Sequence, residues 1–330
     1  MEKLTHITIW GAGAIGCTLA ARLILAGYQH VSLVARGENL AALIENGISL
    51  KDLTGEHHVR PYKIVEKVSE LNVQDVIFIC TKSNALKQIV EPLKQLIHSE
   101  TVIIPLMNGI PFWYFYQNSE EENIRHIEAL DSDQTLIKNF PLSNLIGAVV
   151  FITAELKQYG QVESSNPYLL ILGEPQHKLT ERSENLKHLF KDTKIEIRIS
   201  EQIRDQIWTK VIANLSSNPL SVVTGATLKD IYSHPFLQEM TLQVTQEVRQ
   251  VAACYGARIS IDPYTFLNLG TEMGDVHTSM WQDYKNQKPL EMAGIAQSVL
   301  ELAEQFKCPM PMTKSICNLT QYLSEKSLHH

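Results

Sequence analysis

In the first half of the chain, short apolar runs alternate with segments in which apolar residues recur every three to four positions. The short runs are ITIW (7–10), VSLVA (31–35), DVIFIC (75–80) and TVIIPL (101–106). The segments between them, among them CTLAARLILAG and ALKQIVEPLKQLI, have the period of amphipathic helices. Strands that alternate with helices of this length predict βαβ units and a parallel sheet.

Beyond residue 145 the pattern changes twice. The segments GAVVFITAEL, GQVESS, YLLILG and KIEIRI follow one another closely, which predicts that the sheet is extended without intervening helices. From about residue 201 the apolar positions recur only with the helical period. We therefore predict an α/β fold, with an N-terminal Rossmann-type dinucleotide-binding domain (1–200) followed by an all-helical C-terminal domain (201–330). Residues 117–144 are acid-rich and are predicted to be an insertion or a mobile loop.

Composition and charge narrow the classes of function. The 330-residue chain has a net charge of −7 and no basic run, so a nucleic-acid partner is not expected. Its longest apolar stretch, LIGAVVFITA (145–154), is too short to cross a bilayer, and MEKLTHITIW lacks the apolar core of a signal peptide. The five cysteines form no CxxC pair and lie in apolar segments, which indicates reduced thiols. We expect a cytoplasmic protein without a membrane partner.

The segment GAGAIG (11–16) follows the first predicted strand and opens the first predicted helix. In this GxGxxG pattern, Gly11 permits a tight turn, Gly13 lets the backbone approach a pyrophosphate, and Gly16 lets the helix pack closely on the strand. The helix N-terminus favours the negative charge of the pyrophosphate. A dinucleotide site is therefore predicted, with a plain structural turn as the alternative. The residues of the predicted site are Gly11, Ala12, Gly13, Ala14, Ile15 and Gly16.

The end of the second predicted strand indicates which dinucleotide binds. VARG (34–37) has no acid at the strand tip, where a carboxylate would hydrogen-bond the ribose hydroxyls of NAD. Arg36 stands there instead, and a guanidinium can pair with a 2′-phosphate. Lys82, two residues after DVIFIC, can add a second positive charge. We predict NADP(H) as the cofactor; for both side chains the alternative is an ordinary surface cation.

In the helical half, KVIANLSSNP (210–219) places Lys210, Asn214 and Asn218 at intervals of four residues, which aligns them on one helix face. Apolar residues of the same segment define a core-facing stripe largely opposite to them. Pro219 disfavours helical geometry at Asn218, so we expect the helix to end or bend there. A solvated helix face is one interpretation. The small and amide residues around Lys210 favour the other, a face shaped for a small polar ligand.

Two further segments carry polar groups suited to a binding site. Ser279 and Glu291 lie on either side of a helix break at Pro289. Asn108, in MNG (107–109), follows the strand TVIIPL and is expected at the carboxyl edge of the sheet, where open α/β folds bind ligands. No His/Cys cluster suggests a metal site.

These blocks resemble the ketopantoate reductase (2-dehydropantoate 2-reductase) family. The matching blocks are GAGAIG, MNGI, K-x3-N-x3-NP at 210–219 and SMWQD…KPLE at 279–291, and their order and spacing match across essentially the whole chain. The resemblance implies a two-domain reductase that uses NADPH to reduce the keto group of ketopantoate. The product would be pantoate, on the route to pantothenate and coenzyme A.

The resemblance also implies a role for each matching residue. Lys210 matches the catalytic lysine, which protonates the keto oxygen as hydride reaches the carbon. Glu291 matches the carboxylate that holds the substrate hydroxyl and helps to orient the lysine. Substrate-binding groups are matched by Asn108, Asn214, Asn218 and Ser279. Asn108 also matches a cofactor contact beside the nicotinamide, and the glycine turn, Arg36 and Lys82 match further cofactor positions. No metal is required.

Departures from the family pattern leave the substrate open. Asn108 is followed by IPFWYFY, an aromatic run that either reshapes the acyl pocket or packs the insertion after it. Val276 is apolar where some family members carry a further asparagine. An NADPH-dependent reductase of another 2-keto acid is therefore the alternative, and a non-enzymatic NADPH-binding module is a third that the Lys210/Glu291 pair disfavours. A small-molecule 2-keto acid is the expected partner, with assembly as a homodimer left open.

Overall fold

The computed structural model describes residues 4–117 and 124–328, and the chain divides into two compact units. Within the described residues, the first unit comprises 4–107, 115–117, 124–125 and 134–203, and the second comprises 108–114, 126–133 and 204–328. The second unit thus takes two short segments from the first half of the chain. The domain boundary near residue 200 stays a prediction, because compactness alone does not show that either part folds by itself.

The first unit contains all the strands of the described residues. They are β1 His6–Trp10, β2 His30–Val34, β3 Ile48–Asp52, β4 Gly55–Val59, β5 Lys63–Val65, β6 Val76–Ile79, β7 Val102–Pro105, β8 Gly147–Phe151, β9 Glu155–Gln158, β10 Gln161–Glu163, β11 Tyr168–Gly173 and β12 Ile195–Ile199. The helices up to residue 189 are α1 Ala14–Leu25, α2 Gly37–Asn46, α3 Leu86–Lys94, α4 Glu128–Asp131, α5 Thr135–Asn139 and α6 Glu181–Leu189. Of these, α4 belongs to the second unit.

A five-stranded parallel sheet in the order β5-β2-β1-β6-β7 forms the centre of the first unit. Apart from the short edge strand β5, its strands are almost entirely buried, which is why their sequences are largely continuous apolar runs and not alternating ones. The predicted parallel sheet with helices is confirmed. Trp10 pairs with both Val34 and Ile79, so the residues that follow β1, β2 and β6 lie at one edge of the sheet.

The strands beyond residue 145 differ from the prediction of a helix-free extension. β8 and β11 pair antiparallel, whereas β11 and β12 pair parallel in a sheet ordered β12-β11-β8. A parallel pair needs a crossover, and α6 lies between β11 and β12 in the sequence. The segment ERSENLKHL is largely polar, so its helical pattern is weak, but Thr180 and Ser183 form a capping box at its start.

Two strands predicted to extend this sheet lie elsewhere. β9 and β10 join a second sheet in the order β4-β3-β10-β9, together with a hairpin over residues 48–59 that the sequence analysis did not predict. The hairpin strands carry many polar residues, which hides the alternation typical of a strand. An isolated bridge, Ile103 to Leu145, links β7 with the segment leading to β8.

The second unit is helical over its described residues, as predicted. Its helices after residue 200 are α7 Ile203–Thr224, α8 Leu228–Ser233, α9 Pro235–Cys254, α10 Pro263–Glu272, α11 Ser279–Lys285, α12 Ser298–Gln305 and α13 Pro311–Leu328. A π-helical turn, Ala293–Gln297, precedes α12. In the described part of the chain, no helix is long and apolar enough to cross a membrane.

Of the two outcomes predicted at Asn218, a helix end is wrong, since α7 continues through Pro219 to Thr224, whereas a bend there stays a prediction. An interior proline removes one backbone hydrogen bond and costs about 3 kcal/mol. Leu215, Leu220 and Val222, on either side of the proline, are buried. Their burial stabilises the helix by about 1.5–3 kcal/mol for each side chain, which outweighs the local cost.

The aromatic run IPFWYFY packs into the protein interior. Trp113 and Tyr114 are buried in the second unit. The Tyr114 hydroxyl accepts a hydrogen bond from Trp208 Nε1 at 2.8 Å, and its carbonyl accepts one from Arg204 Nε at 2.8 Å. Tyr116 is buried in the first unit. Tyr114 thus packs on α7 and not on the insertion, and both interpretations of the run stay predictions.

Candidate active site

The glycine turn of the first unit has the geometry of a dinucleotide cradle. Gly11 has a φ of +113°, and a Cβ there would lie 2.8 Å from the carbonyl carbon of Cys80. A Cβ on Gly16 would lie 1.9 Å from the Gly11 oxygen, so α1 could not begin so close to β1 with any other residue. Gly13, by contrast, faces open space and caps α1 without a side-chain hydrogen bond. Backbone N–H groups are therefore available to an anion there.

A residue that the sequence analysis missed holds this turn in place. Asn39, in the first turn of α2, donates from Nδ2 to the Ala12 carbonyl at 2.9 Å. This bond ties α2 to the glycine turn, so the segment that starts with Arg36 and the turn are fixed relative to each other. An asparagine three residues after the strand tip was the available signal.

The cationic residues predicted to select the cofactor lie at the same edge of the sheet. Arg36 is exposed and is the N-cap of α2, directly after β2, and the nearest acid, Glu38, lies inside the helix. Lys82 is half-buried after β6. These groups fit the 2′-phosphate of NADP(H), and no carboxylate occupies the strand tip.

In the second unit, Lys210 lies on α7 in surroundings that disfavour its charge. Burial lowers the pKa of its ammonium from 10.5 to about 8, and the Glu291 carboxylate opposes this shift. An amine with this pKa exchanges a proton readily near neutral pH.

The two asparagines on the same helix face as Lys210 are also withdrawn from solvent. Asn214 is half-buried, and its Nδ2 has no hydrogen-bond partner. Asn218 is 5% exposed, and its Oδ1 accepts from Ser217 Oγ at 3.3 Å. The face is therefore not a solvated helix surface. An unsatisfied buried donor is unfavourable by about 1–3 kcal/mol, and a polar ligand would remove that penalty.

Glu291 is joined to Asn108 across 183 residues of sequence. Asn108 Nδ2 donates to Glu291 Oε2 at 3.1 Å, and both residues belong to the second unit. The second unit thus brings together Lys210, Glu291 and Asn108, which the sequence predicted as site residues. A cofactor contact of Asn108 stays a prediction.

For Ser279 the described contacts give no link to Lys210 or Glu291, and it does not lie on α7 with Lys210. It is exposed at the start of α11, directly after the N-cap Thr278. Thr278 Oγ1 lies 2.6 Å from Ser221 Oγ, and Ser221 donates to the Asn218 carbonyl at 2.7 Å. These hydrogen bonds anchor the start of α11 to α7 one turn beyond Asn218.

The predicted site residues of the second unit supply an amine (Lys210), a carboxylate (Glu291) and the amides of three asparagines. No group of three or more His, Cys, Asp or Glu side chains within 4–117 and 124–328 could hold a metal ion. The arrangement can hydrogen-bond a small polar substrate and give a proton to an oxygen on which charge develops.

Known proteins are similar to this chain in sequence and in fold. The profile of "Ketopantoate reductase PanE/ApbA" matches residues 7–177, and that of its C-terminal domain, "Ketopantoate reductase PanE/ApbA C terminal", matches residues 202–324. The 2-dehydropantoate 2-reductase of Mesorhizobium japonicum is 29% identical over 318 residues, which cover 96% of this chain and 97% of that protein.

Solved structures extend the likeness. A provisionally named ketopantoate reductase from Ralstonia solanacearum MolK2 has a TM-score of 0.90 and 30% identity, and 98% of each chain is covered. A D-mandelate dehydrogenase, solved with NADH and anilino(oxo)acetate, has a TM-score of 0.83 at 19% identity, covering 98% of this chain and 99% of that one. The second likeness shows only that the fold is shared.

Proposed function

The chain belongs to the ketopantoate reductase family of NADP-dependent oxidoreductases, and we propose that it reduces 2-dehydropantoate to pantoate. The observation that carries the proposal is that Lys210 is desolvated while the Glu291 carboxylate of the same unit raises its pKa, with the unsatisfied amide of Asn214 about one helical turn from Lys210 on α7. A charged donor, a carboxylate and an amide donor are the groups that a hydroxylated 2-keto acid requires.

Lys210 acts as the acid of the reaction in this proposal. Its ammonium hydrogen-bonds the keto oxygen, stabilises the negative charge that develops there, and gives that oxygen a proton. Bound NADPH supplies the hydride that the keto carbon accepts. The pKa of about 8 suits Lys210 to this role, because an acid works best when its pKa lies near the operating pH.

Glu291 and the polar residues around it orient the substrate. Glu291 accepts the substrate hydroxyl and keeps Lys210 charged, and Asn108 holds its Oε2 by the hydrogen bond described above. Asn214, Asn218 and Ser279 bind the remaining polar groups of the substrate. Binding by several fixed donors places the keto carbon for attack and lowers the entropic barrier.

The first unit binds the cofactor in this proposal. The glycine turn with Ala12, Ala14 and Ile15 receives the pyrophosphate at the start of α1, and Asn39 keeps the turn fixed. Arg36 and Lys82 bind the 2′-phosphate, which selects NADPH over NADH.

The test is the oxidation of NADPH on addition of 2-dehydropantoate, with the formation of pantoate measured in the same sample. A rate that depends on both substrates supports the proposal. Absence of turnover with 2-dehydropantoate, together with turnover of a different 2-keto acid, would sink the substrate assignment.

The second candidate function is reduction of another 2-keto acid by the same chemistry. The shared fold with a D-mandelate dehydrogenase shows that this architecture does not by itself specify the acid. A panel that pairs 2-dehydropantoate with aliphatic and aromatic 2-keto acids separates the two candidates by kcat/KM. Tight binding of NADPH, without oxidation of NADPH in the presence of any carbonyl compound, would instead support the third alternative, a non-enzymatic NADPH-binding module.

Cellular location and assembly complete the proposal. We place the enzyme in the cytoplasm, as its cysteines without CxxC pairs favour, acting on a small-molecule acid without a membrane and, given its net charge of −7, without nucleic acid. Assembly as a homodimer stays a prediction, and light scattering coupled to gel filtration distinguishes it from a monomer.

A further inference from the structure

The π-helical turn Ala293–Gln297 begins two residues after Glu291. In such a turn the backbone hydrogen bonds span one residue more than in an α-helix, and turns of this kind are frequent at functional sites. The Gly294 carbonyl accepts from Ile110 N at 2.8 Å and from Ser298 Oγ at 2.8 Å. The turn therefore offers a carbonyl to the segment that carries Asn108.

Two glycines make this contact a direct one between backbones. Gly109 has a φ of +83°, and a Cβ there would lie 2.1 Å from the Gly294 oxygen and 2.7 Å from Ile295 N. A Cβ on Gly294 would in turn lie 3.0 Å from the Asn108 carbonyl oxygen. A methyl group at residue 109 would force the two segments apart.

The contact fixes the two side chains next to it. Asn108 precedes Gly109, and the Ile295 N–H donates to the Glu291 carbonyl at 3.2 Å, so both ends of the Asn108–Glu291 hydrogen bond are tied to the π-helical turn. A shift of the turn would move the Glu291 carboxylate relative to its partners.

We propose that Gly109 and Gly294 are positioning residues, which hold Asn108 and the Glu291 carboxylate in the place where that carboxylate acts on Lys210. This proposal rests on the proposed function of the site. It adds that the geometry of Asn108 and Glu291 depends on the backbone contact between Gly109 and Gly294. The site residues contribute the reacting and binding groups, and the two glycines determine whether Asn108 can hydrogen-bond the Glu291 carboxylate.

The effect of the Glu291 charge on the pKa of Lys210 provides a measurable consequence of the proposal. The Glu291 carboxylate raises the pKa of the Lys210 amine against the effect of burial. Displacing Glu291 would remove this support, so the pKa of Lys210 would fall below about 8. Since the ammonium is the active form, the alkaline loss of activity would then begin at a lower pH.

The experiment compares Gly109→Ala with Gly256→Ala. Gly256 also has a positive φ, +74°, but its Cβ would meet nothing within 4 Å, so this control carries the backbone strain without the contact. For Gly109→Ala we expect kcat to fall on the order of 100-fold, as a misplacement of about 1 Å can produce. We also expect an alkaline limb shifted to lower pH, and a dissociation constant for NADPH that changes much less than kcat. For Gly256→Ala, kcat and the pH profile should stay those of the wild type.

Gly294→Ala covers the case in which Gly109→Ala does not fold, because its contact of 3.0 Å is less severe. A folded Gly109→Ala or Gly294→Ala with the wild-type kcat and pH profile would overturn the proposal. If the wild type reduces no 2-keto acid, the proposed function fails instead. The positioning role can then still be tested by the pKa of Lys210, measured by NMR of isotopically methylated lysine, with Lys210→Met to assign the signal.

Discussion

At the scale of single residues, burial and the Glu291 charge act in opposite directions on Lys210. The pKa of its ammonium is lowered to about 8, so the group is mainly charged at neutral pH and loses its proton a little above it. A surface lysine would keep its proton far beyond this range.

A pH profile of the reduction follows from this pKa. Below about 8 Lys210 is protonated and kcat/KM should be level. Above that value the proton donor is lost, and kcat/KM should fall about tenfold for each pH unit. Steady-state rates across the pH range check this. A profile that stays level well above pH 8 would show that the proton donor of the reaction is not Lys210 with a pKa of about 8.

Replacement of Lys210 removes the acid itself. We expect Lys210→Ala to lower kcat by roughly 100- to 10,000-fold, the range in which positioned acids contribute. NADPH binding should be kept, which fluorescence titration can show. Lys229→Ala is the matched control, because Lys229 is a half-exposed lysine of the same unit, 3.4 Å from Asp275. Equal activity in the two variants would contradict the assignment.

Arg36 gives a second residue-scale prediction. Arg36→Ala removes a charge-assisted contact with the 2′-phosphate and should weaken NADPH binding by about 1.5–3 kcal/mol, with little effect on NADH. Dissociation constants for both cofactors check this. Lys187→Ala, an exposed lysine on α6, removes the same charge elsewhere in the first unit. Equal losses for NADPH and NADH would show that Arg36 does not contact the phosphate.

From the sequence it is possible to predict which groups these residues offer and which helix face they share, but not how deeply they are buried or what they contact. Intervals of four placed Lys210, Asn214 and Asn218 on one face, and the structure keeps them in one continuous helix. Their burial, and the unsatisfied Asn214 amide, depend on residues distant in sequence and could not be deduced from the helix alone. The same holds for Asn39, whose bond to Ala12 crosses 27 positions.

At the scale of elements, local propensity fails where tertiary burial opposes it. Pro219 argues for a helix end, yet buried neighbours carry α7 past it to Thr224. The sequence of α6 is so polar that it shows no clear helical period, and α6 was therefore not predicted. The parallel pairing of β11 with β12 nevertheless requires a crossover between them. The π-helical turn has no sequence signal, because it depends on the contact of Gly294 with Ile110.

A carboxylate from one helix caps another in the second unit. Glu247 of α9 accepts hydrogen bonds from Met312 N at 3.0 Å and from Thr313 N at 2.9 Å, in the first turn of α13. Its side chain also accepts from Thr313 Oγ1 at 2.6 Å. Negative charge at a helix N-terminus is favourable, and buried N–H donors need acceptors.

Glu247→Gln should therefore reduce the free energy of unfolding by about 1–3 kcal/mol, because an amide offers one acceptor oxygen and no charge. Activity at low temperature should be unchanged. Denaturant unfolding measures the loss, and Glu304→Gln, an exposed glutamate of α12, is the control. A stability equal to that of the wild type would show that this cap contributes little.

At the scale of the whole molecule, the order of elements is readable from sequence but the membership of the two units is not. The alternation of strands and helices predicts the parallel sheet, and the later helices predict the second unit. Nothing in the sequence assigns Asn108–Tyr114 to the helical unit, because that assignment depends on contacts of Tyr114 with Arg204 and Trp208.

Tyr114 is accordingly predicted to stabilise the second unit strongly. Tyr114→Ala should lower the free energy of unfolding by about 3–5 kcal/mol, because it leaves a cavity beside Trp208. Tyr114→Phe keeps the ring and should lower it by about 1–3 kcal/mol, since Trp208 Nε1 loses its acceptor. Unfolding followed by tryptophan fluorescence measures both. Identical stabilities for the two variants would contradict the cavity argument.

The discontinuous second unit also affects how the protein is made. Arg204 follows Tyr114 by 90 residues, so the aromatic segment leaves the ribosome well before its partners on α7. At about 5–20 residues per second, Trp113 and Tyr114 wait roughly 5–20 s without the helix that buries them. During synthesis this segment therefore exposes aromatic surface that favours aggregation, and slower translation of residues 115–203 would lengthen its exposure.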